Sequence, residues 1–259
     1  MDLGSLARAD AIEAWSAQGS RSGVLTLHGF TGSPASMRPL AEALAADGFS
    51  VELPRLPGHG TTPRELNRTR WQDWSREARA ALEILAARTD RRIIVGLSMG
   101  GLLAAHLAAQ RPDLVDGIVV VNPALVLHPH PLLRLVPLLR FLLPSYPAPA
   151  RDDIARPGVT ERGYDRIPLA ALHSLQRLQA TVDLEAVTCP VLALTSRTDH
   201  VVDPDGSAAL LRRVAAVDRT QVWLERSLHV ATLDLDADEV HREILAFAAR
   251  LGAAPHADR

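Results

Sequence analysis

The sequence predicts an α/β protein in which a mostly parallel sheet is covered by helices on both faces. Short, continuously apolar segments at residues 24–27, 93–97 and 117–121 alternate with longer segments whose apolar residues recur at helical spacing. Continuously apolar strands are typical of a parallel sheet, because helices bury both of its faces. With 259 residues the chain is long enough for one such domain and a small subdomain.

The first elements are delimited by glycine and proline signals. Residues 11–17 predict an edge strand, and residues 24–27 predict a buried strand that runs into a glycine-rich loop at residues 28–34. Residues 36–47 are predicted to be helical because their leucines share one face. This helix should end at Gly48, since glycine is a typical residue just beyond a helix C-terminus.

The later elements repeat the order of strand, loop and helix. Further strands are predicted at residues 50–54, 93–97, 117–121, 191–195 and 221–224. Further helices are predicted at residues 71–88, 98–110, 206–216 and 237–250. A proline- and glycine-containing loop at residues 56–62 follows the first of these strands.

The alternation is interrupted between residues 124 and 180, where prolines separate leucine-rich pieces. Residues 131–144 are the most apolar run, but Arg134, Pro137 and Arg140 interrupt it and it is too short to cross a bilayer. An ordinary core helix is one interpretation. The position at the carboxyl edge of the sheet favours an inserted lid whose apolar face covers an apolar substrate. We therefore predict a core of residues 1–123 and 181–259 and a lid of residues 124–180.

The composition is that of an ordinary globular protein and excludes several classes of function. A formal net charge of −2 gives no reason to expect nucleic acid as a partner. Cys189 is the only cysteine, so no internal disulfide can form, and its apolar surroundings favour a buried hydrophobic role over a nucleophilic one. The first residues lack the pattern of a signal peptide, so a cytoplasmic location is expected.

The segment Gly96-Leu97-Ser98-Met99-Gly100 places a Gly-x-Ser-x-Gly pattern between a predicted strand and a predicted helix. The bare pattern also arises by chance, so its meaning depends on partner residues elsewhere. The two glycines leave no side chains to collide where the chain doubles back. Ser98 can then adopt a strained backbone conformation that lifts its hydroxyl clear of the sheet. Ser98 is the predicted nucleophile.

A serine hydroxyl is a weak nucleophile and needs a histidine base held by a carboxylate. In this arrangement the acid and then the histidine follow the serine along the chain. Asp199 comes directly after the strand at residues 191–195 and is the predicted acid. Asp203 and Asp205 are alternatives, but they lie nearer the next helix, where aspartate is usually a cap.

His229 follows the strand at residues 221–224 and is the predicted base. The other histidines considered lie inside helices, in the predicted lid or in the C-terminal tail: His106, His128, His130, His241 and His256. Acyl transfer also requires N–H donors for the oxyanion that forms at the carbonyl. We expect these to be the backbone N–H groups of Met99, which follows the nucleophile, and of Phe30 in the early glycine-rich loop.

Five stretches together resemble the bacterial carboxylesterases and monoacylglycerol lipases of the α/β-hydrolase superfamily. They are residues 27–32 (LHGFTG), 54–61 (PRLPGHGT), 96–101 (GLSMGG), 199–202 (DHVV) and 229–234 (HVATLD). The resemblance implies an α/β-hydrolase fold with a small inserted lid. It also implies that Ser98, Asp199 and His229 are the triad and that Phe30 and Met99 form the oxyanion hole.

The stretch at residues 158–164 is similar to the part of the monoacylglycerol lipase lid that carries a glycerol-binding glutamate. By this resemblance Glu161 would bind the glycerol moiety of the substrate. Residues 125–150 depart from the family pattern, so the resemblance implies no acyl-chain length.

The function expected from the resemblance is hydrolysis of carboxylic esters through an acyl-enzyme, with monoacylglycerols split into glycerol and fatty acid. No metal or cofactor is implied. The alternatives are a general short- or medium-chain carboxylesterase, a peptidase or lactonase with the same triad, and a non-catalytic lipid-binding homologue. The expected partners are a small ester or lipid, with transient lipid contact through the lid, and a monomer or small homo-oligomer is expected.

Overall fold

The computed structural model describes residues 3–4, 9–129, 131–148 and 152–252. Its strands are β1 (Trp15–Ala17), β2 (Ser22–Leu27), β3 (Ser50–Leu53), β4 (Arg91–Leu97), β5 (Gly117–Val121), β6 (Ser145–Pro147), β7 (Arg166–Pro168), β8 (Val191–Ser196) and β9 (Arg219–Leu224). Its α-helices are α1 (Arg38–Ala46), α2 (Pro63–Leu66), α3 (Trp71–Ala86), α4 (Met99–Gln110), α5 (Val136–Leu139), α6 (Leu169–Thr181), α7 (Asp205–Arg213) and α8 (Ala237–Arg250).

The main sheet has seven strands in the order β1-β3-β2-β4-β5-β8-β9. Only β1 at one edge is antiparallel to its neighbour, and all the other pairs are parallel. The prediction of a mostly parallel α/β sheet is confirmed. Parallel strands share one carboxyl edge, so the loops after β2, β4, β8 and β9 open on the same side of the molecule.

Two apolar layers cover the two faces of this sheet. Neighbouring residues of a strand enter opposite layers, as Val24 and Leu25 do in β2 and as Ile93 and Ile94 do in β4. Helices α3, α4 and α6 cover the layer that contains Leu25, while α1 and α8 cover the other. Burial on both faces explains why these strands read as continuous apolar runs rather than as an alternation.

The inserted segment (residues 124–180) contains a 3₁₀ helix (Pro131–Leu135), α5, the two-stranded antiparallel sheet of β6 and β7, and α6. The apolar run at residues 131–144 does not bury all of its apolar side chains. Leu138, Phe141 and Leu142 are 68%, 75% and 78% exposed. A helix of a single turn cannot direct every apolar residue inward, and Val136 takes the buried position.

The structure also contains elements that were not predicted, namely α2, β6, β7 and α6. The predicted edge strand at residues 11–17 is a 3₁₀ helix (Ala9–Ile12) followed by the short β1, and Cys189 is only partly buried. Among the described helices, none combines the length and the apolar character that a bilayer crossing requires.

Candidate active site

Ser98 occupies a sharp turn between β4 and α4. Its backbone has φ 56° and ψ −114°, and the residue is only 5% exposed. Such a conformation costs a non-glycine residue about 1–3 kcal/mol and persists only where the surroundings impose it. The Ser98 N–H donates to the Val121 carbonyl at 2.9 Å, and the Ala124 N–H donates to the Ser98 carbonyl at 3.1 Å. The end of β5 therefore holds the turn.

The two glycines of the motif are required by close backbone contacts. A Cβ atom on Gly96 would lie 2.2 Å from the carbonyl carbon and oxygen of Gly100. A Cβ atom on Gly100 would lie 2.2 Å from the carbonyl oxygen of Leu27 in β2. No side chain fits at either position, so the pattern read in the sequence has a direct steric cause.

Asp199 and His229 meet at the carboxyl edge of the sheet. Asp199 Oδ2 lies 2.7 Å from His229 Nδ1, and both residues are buried. Asp199 Oδ1 accepts from the N–H groups of Val201 and Val202, each at 2.8 Å. The carboxylate is therefore oriented by its own loop. It contacts Nδ1 of His229, so Nε2 is the ring nitrogen that Asp199 does not contact.

The electrostatics of this pair favour its ionised forms. Burial lowers the pKa of His229, but the charge and hydrogen bond of Asp199, with the charges of Glu161 and Asp153, more than offset this and leave the pKa raised. For Asp199, burial acts in the opposite direction and raises the pKa. The His229 charge and three hydrogen bonds lower it by more, so the pKa of Asp199 is lowered overall. The environment of His229, chiefly the Asp199 carboxylate, therefore stabilises an imidazolium at this position.

The backbones of Ser98 and His229 are anchored to the same short segment. Asn122, with φ 45°, directly follows the Val121 that holds Ser98, and its Nδ2 donates to the His229 carbonyl at 2.8 Å. The same Nδ2 lies 2.9 Å from Ser196 Oγ at the end of β8. No hydrogen bond between Ser98 Oγ and His229 Nε2 occurs among the described residues. In the absence of substrate such contacts are often longer than in the reacting complex.

The loop that contains Phe30 is held beside Ser98 by a buried histidine. His28 Nε2 accepts from the Leu56 N–H at 3.2 Å, which leaves Nδ1 to donate to the Gly29 carbonyl at 3.0 Å. Burial lowers the pKa of His28 to about 4, so the ring is neutral at pH 7. Within the described chain, the N–H groups of Phe30 and Met99 donate to no other group. Two backbone donors are therefore available at the turn.

Glu161 lies against the same loop. A Cβ atom on Gly32 would lie 3.1 Å from Glu161 Oε2, and the Glu161 N–H donates to Asp152 Oδ1 at 2.8 Å. Its charge contributes to the raised pKa of His229. The structure thus brings a carboxylate of the inserted segment into the electrostatic environment of the predicted base.

Asp153 of the inserted segment is a site residue that the sequence analysis missed. Its Oδ2 accepts from the N–H groups of His200 and His229, each at 3.1 Å, and its Oδ1 lies 2.7 Å from His200 Nδ1. The Val230 N–H also donates to the Asp153 carbonyl at 3.1 Å. This buried carboxylate joins the loop that carries Asp199 to the loop that carries His229. The acidic pair at residues 152–153 was the only signal in the sequence.

Known proteins resemble the chain over most of its length. A family model described as "Serine aminopeptidase, S33" matches residues 18–236. The chain is 38% identical over 240 residues to the thermostable monoacylglycerol lipase of Bacillus sp. (strain H-257), covering 92% of this chain and 94% of that relative. It is 28% identical over 238 residues to the carboxylesterase of Bacillus subtilis (strain 168), covering 90% and 95%.

Solved structures agree in fold. One from a study of LipS and LipT, two metagenome-derived lipolytic enzymes, superposes with a TM-score of 0.89 at 39% identity, covering 93% of this chain and 98% of that chain. The monoacylglycerol lipase of Paleococcus ferrophilus superposes with a TM-score of 0.78 at 23% identity, covering 92% and 99%, and this likeness concerns the fold alone.

Proposed function

Because the chain belongs to the family described as "Serine aminopeptidase, S33", a group of α/β-hydrolases, we propose that it hydrolyses monoacylglycerols to glycerol and fatty acid with Ser98, His229 and Asp199 as its triad. The protein is a serine ester hydrolase. The observation that carries the triad is the 2.7 Å contact of His229 Nδ1 with Asp199 at the sheet edge where Ser98 occupies its strained turn.

In the first half of the reaction, Ser98 Oγ attacks the ester carbonyl carbon while His229 Nε2 takes the hydroxyl proton. The carbonyl oxygen becomes an oxyanion, and the N–H groups of Phe30 and Met99 donate to it. The bond from the carbonyl carbon to the alcohol oxygen then breaks, and His229 returns the proton to the leaving glycerol. The acyl group stays on Ser98.

In the second half, water attacks the acyl carbon and gives its proton to His229. The tetrahedral intermediate collapses with loss of Ser98 Oγ, which takes the proton back from His229, and the fatty acid is released. Asp199 stabilises the imidazolium in both halves because its charge lies against Nδ1 and its other oxygen is held by two N–H groups.

The same chemistry would serve other substrates, and the choice of glycerol esters is supported by Glu161 and by the relative from strain H-257. We propose that the Glu161 carboxylate accepts hydrogen bonds from glycerol hydroxyls. It lies beside the loop that contains Phe30, and its charge helps to raise the pKa of His229.

We also propose that residues 124–180 act as the lid. The Tyr164 hydroxyl donates to the Gly58 carbonyl at 2.7 Å and accepts from the Thr61 N–H at 2.8 Å, which attaches the interior of the segment to the loop after β3. The outward-facing Leu138, Phe141 and Leu142 suit transient contact with lipid. Cytoplasmic location and a monomer or small homo-oligomer stay predictions.

The decisive experiment is a substrate panel on the wild type, Ser98→Ala and Glu161→Ala. It contains monoacylglycerols, nitrophenyl esters of equal acyl length and an aminoacyl anilide, the last because the family description names an aminopeptidase. We expect turnover of both ester classes, a preference for the glycerol esters that Glu161→Ala loses, and no turnover by Ser98→Ala. Cleavage of the anilide in preference to the esters would support the peptidase. Full activity of Ser98→Ala would refute the triad.

A further inference from the structure

A cavity of about 290 Å³ lies outside the proposed active site, between the inserted segment and the start of α3. Its lining comes from the start of α3, from α6 and from the end of α5, and it includes Arg70, Arg140, His173 and Arg177. Three of these are arginines and one is a histidine, while aspartate and glutamate are absent from the lining. The cavity is thus strongly electropositive.

The three arginines lack the carboxylate partners that other arginines of this protein have. Arg70 donates to the carbonyls of Asn67 and Thr69, and Arg140 donates to the carbonyl of Pro137. Within the described part of the chain, none of the three forms an ion pair. By contrast, Arg111 pairs with both Glu83 and Asp113. Within the described residues, no carboxylate therefore pairs with the guanidinium groups around the cavity.

His173 adds an imidazole to this cluster. Its Nδ1 is buried and has no partner at ordinary hydrogen-bond geometry among the described residues. Burial lowers the pKa of His173, the charges of Arg140, Arg177 and Arg70 lower it further, and a side-chain contact with Gln176 raises it. The imidazole therefore lies within the positive potential of the three arginines.

We propose that Arg70, Arg140, His173 and Arg177 form a binding site for a phosphate group at the junction of the inserted segment and the core. Guanidinium groups bind phosphate oxygens through paired, charge-assisted hydrogen bonds, and a dianion compensates more of the accumulated charge than a carboxylate does. His173 supplies a further donor once the bound anion stabilises its protonated form.

Two sources of the phosphate group fit this site. Free phosphate or a soluble phosphomonoester could enter from solvent. The headgroup of an anionic lipid could enter while its chains contact the exposed Phe141, whose ring lies 4.5 Å from Arg140 Cζ. The shared chemistry is the phosphate group, and the two sources are separated by experiment.

The test uses the full chain carrying Ser98→Ala, so that no lipid is hydrolysed, and follows histidine imidazole NMR resonances during titration with inorganic phosphate at constant ionic strength. The His173 signal is identified by its loss in His173→Gln. We expect the pKa of His173 to rise on phosphate binding. The double variant Arg140→Gln/Arg177→Gln should weaken phosphate affinity by about tenfold or more, as expected for the loss of two charge-assisted hydrogen bonds.

Arg212→Gln/Arg213→Gln is the matched control, since it removes two exposed arginines from α7 and should leave phosphate affinity unchanged. Near-ultraviolet circular dichroism verifies that each variant is folded.

Vesicles of phosphatidylcholine with and without phosphatidic acid form the second arm of the experiment. Binding that requires both phosphatidic acid and Arg140 with Arg177 identifies the lipid headgroup, while binding of inorganic phosphate alone identifies the soluble source. If phosphate leaves the His173 resonances unchanged, or if the control variant weakens binding equally, the site is refuted. Because Ser98 is absent throughout, this outcome is independent of the proposed esterase activity.

Discussion

Removing the Asp153 carboxylate should loosen the proposed base from its loop. Asp153→Ala deletes the acceptor of the buried His229 N–H and of the His200 N–H, together with the 2.7 Å contact to His200 Nδ1. A buried donor left without an acceptor costs about 1–3 kcal/mol. The His200 side chain is 59% exposed, so its ion pair contributes about 1 kcal/mol at most. We expect a total destabilisation of about 1–4 kcal/mol.

The same change should affect turnover more than substrate affinity, because Asp153 positions His229 and does not touch the reacting atoms. A misplacement of a catalytic group by about 1 Å can lower the rate by about hundredfold. We therefore expect kcat to fall by about tenfold to hundredfold. The measurements are urea unfolding and the separate values of kcat and KM on a nitrophenyl ester. Asp153→Asn, which keeps an oxygen acceptor, should recover part of both losses.

His200→Gln is the matched control for this prediction. It removes the exposed imidazole but keeps both backbone N–H groups on Asp153, so stability should change by less than about 1 kcal/mol and kcat should change little. If Asp153→Ala were as stable and as active as the wild type, the assignment of Asp153 as a positioning residue would be refuted. If His200→Gln reproduced the whole effect, the ion pair rather than the backbone contacts would be responsible.

Three further predictions follow from distances and pKa directions. The esterase rate should fall as the pH drops through the pKa of His229, which is raised above its ordinary value, so the acid limb of kcat/KM should lie above about pH 6.5; a rate that is flat between about pH 5 and 8 would contradict this. Gly100→Ala should destabilise the fold by about 3 kcal/mol or more, because the new Cβ would lie 2.2 Å from the Leu27 carbonyl oxygen, whereas Gly206→Ala meets only ordinary contacts and should be near neutral in thermal unfolding. The unfolded chain binds a proton at His28 below about pH 6.5, whereas the folded protein binds it only below about pH 4, so the free energy of unfolding should fall by up to about 3 kcal/mol as the pH drops across that window. The urea midpoint of His28→Gln should therefore depend less on pH than that of the wild type. An unchanged dependence would show that His28 is not the group responsible.

The parts of the fold that local chemistry dictates were predictable. The apolar runs of β2, β4, β5 and β8 are nearly continuous because both faces of these strands are buried, which is typical of a parallel sheet covered by helices. The turn at Ser98 was predictable because Gly96 and Gly100 stand where any side chain would collide with backbone.

The inserted segment was predicted poorly because its pattern is not periodic. Prolines divide residues 131–144 of this segment into a short 3₁₀ helix and the one-turn α5. Pieces this short have no face that can be identified from residue spacing alone. Whether Phe141 turns inward or outward is decided by the surface offered by α6 and the core. Sequence reading has no access to that surface.

The sequence by itself determined the sheet class, the turn that carries Ser98, and the strand ends that carry Asp199 and His229. Each of these depends on the identity of residues a few positions apart. Only the tertiary structure decided that Asp153 would join the two loops, that Asn122 would hold His229, and that three arginines would surround one cavity. Those contacts join residues far apart in the chain, and their geometry exists only after the strands have paired and the helices have packed.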